Sequence, residues 1–333
     1  MVQPFGMGVA LTGCGSATPA QVLSNDDLSQ VVETSDEWIA ERTGIRQRRL
    51  ADPATSLSHL AVAAAQSAIA MAGLQPSDVD LIILATSSPD DLFGTAATVQ
   101  AELGATRAAA FDLTAACSGF VFGLVTAAQF IRTGAYQTVL LIGADMLSRW
   151  VDWGDRGTCV LFGDGAGAVV LQANEHDRLL GFELRSDGQS NQSLTLAYQP
   201  QPQSLTTDVQ VTQGTYQPIA MDGREVYRFA VQRVPEVIEK ALHRANCSIE
   251  QVNWLLLHQA NQRILTAIAQ RLKIPTEKVI SNLADYGNTS AASIPLALDE
   301  AVRQDKIRPG DIIAASGFGA GLSWGATIFQ WGR

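Results

Sequence analysis

The 333 residues are 47% hydrophobic and 17% charged, apolar enough for a large core and far from the composition of a disordered chain. A net charge of −10 argues against nucleic-acid binding, which needs basic surface to neutralise phosphates. The four cysteines, Cys14, Cys117, Cys159 and Cys247, never form a Cys-x-x-Cys pair, which excludes a disulfide framework or zinc cluster and fits a reducing cytoplasm.

No Lys or Arg precedes Arg42, so the N-terminus lacks the positive region of a secretory signal. Apolar runs predict strands over 9–12, 81–85, 139–142, 169–171, 254–257 and 312–315. Helices are expected over 57–72, 118–132, 224–245 and 291–304, and the alternation is that of a layered α/β protein. Pro235 predicts a kink or a break in the third of these helices. The uncharged run 113–131 approaches the length of a membrane span, but its polar residues and the flanking Asp112 and Arg132 favour a buried helix at the centre of a large protein.

The stretch 77–84 resembles 250–257, and Thr133-Gly134 before one strand resembles Pro309-Gly310 before another. Two similar halves are therefore expected, 1–175 and 223–333, joined by an irregular connection over 176–222 whose later part is rich in Gln, Thr and Ser.

Chemistry can be sought in a few places. Thr34-Ser35-Asp36-Glu37 reads as a capping box, which puts Trp38 and Arg42 one turn apart on a helix face. Such a pair can hold an adenine ring and a phosphate, or be an ordinary amphipathic face with a snorkelling Arg. Cys117 stands at the start of the uncharged helix, where the macrodipole would lower its pKa, although a buried structural thiol is the commoner fate of a free cysteine. His258 ends an apolar strand and opens a polar cluster, the place where ligands bind α/β sheets. Asn288, in Gly287-Asn288-Thr289-Ser290, is either a helix cap or an amide aimed at a developing oxyanion. Gly317-Phe318-Gly319-Ala320-Gly321 can offer backbone N–H groups to an anion or simply turn. The run Gly163–Gly167 lacks dinucleotide-loop spacing and leads into a strand, not a helix, so NAD binding is rejected.

Cys117 in Ala115-Ala116-Cys117-Ser118-Gly119-Phe120, His258 in His258-Gln259-Ala260-Asn261 and Asn288 in Gly287-Asn288-Thr289-Ser290-Ala291 together resemble the beta-ketoacyl-acyl-carrier-protein synthase III family, over nearly the whole chain. The resemblance implies a duplicated thiolase-type fold with five layers, α-β-α-β-α, a homodimer, and the condensation that starts bacterial-type fatty acid synthesis. Cys117, His258 and Asn288 would be catalytic, with the backbone N–H groups of Cys117 and Ala320 as oxyanion hole. Trp38, Arg42, Arg156, Gly157 and Asn261 would contact coenzyme A. Gln259, Ala260, Asn261, Gln262 and Arg263, with Arg228, would meet the acyl carrier protein, and Phe93 would close the partner's acyl pocket.

Acetyl-CoA and malonyl-carrier protein would be the substrates, with no metal or other cofactor. The family commonly has three consecutive glycines where this chain reads Gly319-Ala320-Gly321, which questions whether Ala320 must take a positive φ. Arg263, Arg271, Lys273 and Arg228 are expected to form one basic patch for the acidic carrier protein. A thiolase would need a late second cysteine and none follows Cys247. A plant-type polyketide synthase would lack the 259–263 segment, a cysteine peptidase has no use for a Trp38/Arg42 clamp, and a scaffold would have lost its nucleophile.

Overall fold

The computed structural model describes residues 7–332, so 1–6 and 333, the outer ends of the two expected halves, lie outside the described residues. The first half runs β1 (Gly8–Ala17), α1 (Asp36–Thr43), α2 (Leu57–Met71), β2 (Leu81–Ala85), α3 (Ala96–Leu103), β3 (Ala109–Leu113), α4 (Gly119–Arg132), β4 (Thr138–Met146) and β5 (Asp164–Asn174). The second runs β6 (Leu179–Ser186), α5 (Gly223–Arg244), β7 (Trp254–Leu257), α6 (Gln262–Arg271), β8 (Val279–Ile280), α7 (Ser293–Arg303), β9 (Ile312–Gly319) and β10 (Ser323–Gln330).

Two five-stranded sheets result, ordered β1-β5-β4-β2-β3 and β6-β10-β9-β7-β8. Each has two antiparallel pairings at one end and two parallel pairings running to the opposite edge, in the same places, so the topology is one motif used twice. The two sequence echoes precede equivalent strands, β2 with β7 and β4 with β9. Helices α2 and α3 cover one sheet, α5 and α6 the other, and α4 and α7 lie between the sheets and touch both. That gives five layers, α-β-α-β-α. The uncharged run forms α4, whose Phe120, Val121, Leu124, Ala127, Ala128 and Ile131 are buried between sheets. Among the described residues no helix is long and apolar enough to cross a membrane.

Local chemistry sets the elements. In α2, Leu57, Leu60, Ala61, Ala64, Ala65 and Ala68 recur at helical spacing on the buried face, and Ser56 caps the start by accepting from His59 N at 3.1 Å. The expected capping box at residues 34–37 is corrected by one position: Ser35 caps α1, accepting from Trp38 N at 3.1 Å. Of the kink or break expected at Pro235, the break does not occur: α5 is one continuous helix through that residue. Pro235 has no N–H for the carbonyl of Val231, and Arg271 Nη1 donates to that carbonyl instead, at 3.2 Å.

The connection is more ordered than its composition implied. Leu179–Ser186 alternates buried and half-buried residues and is the outer strand of the second sheet, so the second motif begins inside the stretch expected to be irregular. Tyr198–Ser204 and Gln210–Tyr216 then form a largely exposed ribbon.

The duplication extends to two turns. Ala116–Ser118 ahead of α4 and Ser290–Ala292 ahead of α7 are both single 3-10 turns, and each opens on a residue with positive φ, 46° at Ala116 and 51° at Ser290. Neither is glycine, so both turns hold strain that the packing around them must maintain. The two turns pack against one another.

Candidate active site

Cys117 sits in the first of these turns, between two cavities. One, of about 1100 Å³, opens to solvent past Trp38, Arg42 and Arg156 and reaches Cys117, His258 and Asn288 at its floor. The other is apolar, about 70 Å³, lined by Cys117, Leu147, Phe162, Leu194, Leu196, Ile219 and Ala320.

The Cys117 thiol is pushed up to about 12, first by burial and further by the nearby Asp145 carboxylate, with a hydrogen bond from Ser290 acting against both. The lowered pKa expected from the helix terminus is therefore corrected: desolvation and a buried acid outweigh the dipole. Asp145 is fully buried and accepts from Ser87 N at 2.8 Å, Ser88 Oγ at 2.9 Å, Thr86 Oγ1 at 3.1 Å and Ala291 N at 3.1 Å. It ties the loop after β2 to the turn before α7.

His258, at the end of β7, is 1% exposed, and burial drives its pKa down to about 3, so the ring is neutral. Its Nδ1 is 2.7 Å from Ser293 Oγ, and its ring stands edge-on to Phe318 with centroids 5.2 Å apart. Asn288 N donates to Leu161 O at 2.8 Å and its carbonyl accepts from Gly163 N at 3.0 Å, so it is held like a strand residue. That supporting segment is braced by the buried Arg48, whose Nη2 donates to Val160 O at 2.8 Å. Asn288 Oδ1 accepts from Ser290 N at 2.9 Å. The helix-cap reading is corrected, since Thr289 and Ala292 hold the cap positions of the following turn and of α7 and neither cap makes a side-chain hydrogen bond; Asn288 Oδ1 closes a local turn instead, and Nδ2 has no partner among the described residues.

The turn after β9 closes the floor. A Cβ placed on Gly319 would lie 2.8 Å from Cys117 N and 3.0 Å from Cys117 Cβ, so only glycine lets this strand approach the cysteine so closely. Ala320 is not among the residues with positive φ; the left-handed geometry falls on Gly321, at 124°. Alanine at 320 is therefore unstrained. Ser118 Oγ and Ser323 Oγ, 2.7 Å apart, link the cysteine turn to this loop.

At the cavity mouth Trp38 carries Arg42 and Arg156 at 4.6 and 4.7 Å from its ring centroid. Gly157 N donates to Asp155 Oδ1 at 2.8 Å, and Asn261 caps α6 while its Nδ2 donates to Arg42 O at 3.1 Å. All five residues expected to contact coenzyme A line the same cavity.

The carrier-protein segment needs correction. Gln259 is 1% exposed and its side chain donates to Leu257 O at 2.6 Å and Ile280 O at 3.3 Å, which withdraws it from any docking surface. Ala260 is half-buried on the cavity wall, Gln262 is exposed, and Arg263 lines the mouth, donating to Glu41 O at 3.0 Å.

Of the four cations expected to form one patch, Arg263, Arg271, Lys273 and Arg228, only Arg263 lines the mouth. Arg228 pairs with Glu225 one turn away on α5 at 2.8 Å, and Arg271 reaches across from α6 to Val231 O and Glu236 of α5. Arg224 and Tyr227, which the sequence did not single out, line the mouth instead. Phe93 is fully exposed beside the exposed Leu92. Ser293, Ser290 and, of the apolar cavity, Leu147, Phe162, Leu194, Leu196 and Ile219 were also missed; Ser293 follows the asparagine motif by two residues but carries no signal of its own.

Family models for 3-oxoacyl-[acyl-carrier-protein (ACP)] synthase III match residues 111–188, and for its C-terminal part residues 242–331. The chain is 72% identical to the beta-ketoacyl-[acyl-carrier-protein] synthase III of Trichormus variabilis over 327 residues, covering 98% of this chain and 99% of that one. It is 69% identical to the Synechococcus elongatus protein of the same name over 333 residues, 100% of this chain and 99% of that one. The crystal structure of 3-oxoacyl-[acyl-carrier-protein] synthase III from Aquifex aeolicus superposes with a TM-score of 0.89 at 44% identity, covering 97% of this chain and 100% of that one.

Proposed function

Since this chain belongs to the beta-ketoacyl-[acyl-carrier-protein] synthase III family, a family of condensing acyltransferases that start fatty acid synthesis, we propose the following course for its reaction. A short acyl-CoA enters past Trp38, Arg42 and Arg156, with Gly157 and Asn261 completing the contact. Cys117 Sγ attacks the thioester carbonyl, the bond to the coenzyme sulfur breaks, and the proton of the thiol ends on the departing coenzyme A. The oxyanion of that step is held by the backbone N–H groups of Cys117 and Ala320. The acyl chain lies in the apolar cavity, whose volume of about 70 Å³ suits a few carbon atoms and supports acetyl-CoA as primer.

Malonyl-carrier protein then docks at the mouth, where Arg263 and Arg224, with Ala260, Asn261 and the exposed Gln262, face the acidic partner. The malonyl group loses carbon dioxide, and the electron pair left behind is held as an enolate by hydrogen bonds from His258 and Asn288 Nδ2. A neutral imidazole is the right partner, because it donates a bond without protonating the carbanion. The carbanion attacks the acyl carbon, Cys117 leaves as thiolate and takes a proton from water, and a 3-oxoacyl-carrier product departs. The steps are redox-neutral and balance on the two substrates, so no resident cofactor is invoked. The exposed Phe93 and Leu92 support a homodimer in which Phe93 reaches the partner's acyl pocket, and the chain is proposed to work in the cytoplasm.

The observation that carries this reading is the convergence of Cys117, His258 and Asn288 at the floor of one cavity, with the remaining polar atoms of His258 and Asn288 already occupied by Ser293 and Ser290. It is tested by intact-protein mass after mixing with acetyl-CoA, beside Cys117→Ala, followed by a chase with malonyl-carrier protein. One acetyl adduct that the variant lacks and the chase removes is expected; an adduct that survives Cys117→Ala would overturn it.

A further inference from the structure

The hydrogen bonds around His258 can be counted atom by atom. Ser293, the first residue of α7, is 1% exposed. Its Oγ lies 2.7 Å from His258 Nδ1 and accepts from Gln259 N at 3.3 Å. Among the described residues these are its only polar contacts. The amide of Gln259 can only donate, so it occupies one lone pair of the hydroxyl. If Nδ1 also carried a proton, Ser293 Oγ would accept twice and its own hydrogen would be buried with no acceptor. With the imidazole proton on Nε2, the hydroxyl donates to Nδ1, both Ser293 Oγ and Nδ1 are satisfied, and Nε2–H is left free for a substrate atom. The edge-on Phe318 ring limits rotation of the imidazole, and His258 lines the cavity on its other side.

We infer that Ser293 is a positioning residue, which holds His258 in the Nε2–H tautomer so that this N–H meets the thioester oxygen of the malonyl substrate. The opposite tautomer would present a bare lone pair to that oxygen and repel the enolate. The inference rests on the proposed role of His258 and adds to it the means by which a neutral ring, which has two tautomers, is made to donate from the correct side.

The test is nitrogen-15 NMR of the full chain with labelled histidine, the His258 signals being assigned by their loss in His258→Gln. The wild type is expected to show the Nε2–H pattern. Ser293→Ala is expected to mix the tautomers, keep acylation by acetyl-CoA at the wild-type rate and slow condensation by at least about tenfold, a part of what loss of an oxyanion donor costs. Ser293→Thr restores both tautomer and rate. A wild-type Nδ1–H pattern overturns the inference, as does unchanged condensation in folded Ser293→Ala. Should Ser293→Ala fail to fold, the wild-type tautomer alone decides. Wild-type condensation by His258→Gln would instead sink the catalytic reading of His258 and leave the tautomer measurement intact.

Discussion

Gly319→Ala tests whether the end of β9 and the cysteine turn are set against each other so tightly that only a glycine fits between them. The new methyl carbon would stand 2.8 Å from Cys117 N and 3.0 Å from Cys117 Cβ, both backed by backbone that cannot swing aside. Restoring ordinary contact means separating the turns by about 0.5–0.7 Å. Overpacking of that kind costs about 1–3 kcal/mol of stability, a few degrees of Tm in a protein of this size. Catalysis should suffer more, because the Ala320 N–H must meet an oxyanion formed on Cys117, and a misplacement approaching 1 Å costs up to about 100-fold. We therefore expect single-turnover acylation by acetyl-CoA, followed by intact mass, to fall about 30- to 100-fold. The dissociation constant of acetyl-CoA should change little, since Trp38 and Arg42 are at the other end of the cavity. Gly188→Ala, where nothing lies within 4 Å of the new carbon, is the matched control and should leave rate and Tm alone. A folded Gly319→Ala enzyme acylating within about threefold of wild type would refute the argument that this contact sets the oxyanion geometry.

Folded, His258 stays neutral down to about pH 3, whereas unfolded it titrates near its ordinary 6.5. Below 6.5 the unfolded chain therefore binds a proton the folded one refuses, so this residue lowers stability as pH falls from 6.5 toward 3 and does nothing above 6.5. Denaturant unfolding at pH 7.5 and 4.5 should show wild type losing more stability on acidification than His258→Gln; equal losses would exclude the shift. Because the resting Cys117 thiol is pushed up to about 12, its alkylation by iodoacetamide should keep rising through pH 9, and a plateau below pH 8 would indicate a stabilised thiolate instead. Trp38→Ala removes the ring between two guanidinium groups and should raise KM for acetyl-CoA about tenfold with a smaller effect on kcat; an unchanged KM would remove Trp38 from the coenzyme site. Arg271→Ala should cost about 1 kcal/mol in wild type but much less in a Pro235→Ala background, where the Val231 carbonyl regains a helical donor, and additive losses in the double-mutant cycle would show that the two are not coupled.

The sequence carried the long buried strands and the cysteine, histidine and asparagine motifs, because both are local. Leu81–Ala85 and Trp254–Leu257 are continuous apolar runs and needed no context. Strand β3, Ala-rich with residues exposed at the sheet edge, has no such run, and β6 alternates correctly but stands before a polar stretch that hid it. In the site, Cys117, His258 and Asn288 are legible from their neighbours in sequence. Their environment is not. The upward push on the thiol comes from burial and from Asp145, 28 positions away, and the apolar cavity draws Leu194, Leu196 and Ile219 from the segment least informative by composition. The capping box failed by one residue for a different reason: adjacent Thr34 and Ser35 offer the same oxygen, and only the backbone decides which one caps.

The paired 3-10 turns have a further consequence. Cys117, the proposed nucleophile, lies in one of two equivalent turns of a duplicated motif, and Asn288, the proposed enolate donor, lies two residues ahead of the other, where the two copies meet. A small slide of one copy against the other would change the distance between nucleophile and enolate while leaving each copy's interior untouched. What fixes that distance is atomic bulk at the seam: a Cβ on Gly143 would fall 2.2 Å from the carbonyl oxygen of Ala291. In the proposed reaction, residues with no reactive group would thus serve as its ruler, and substitutions there should shift turnover before they threaten either half's integrity.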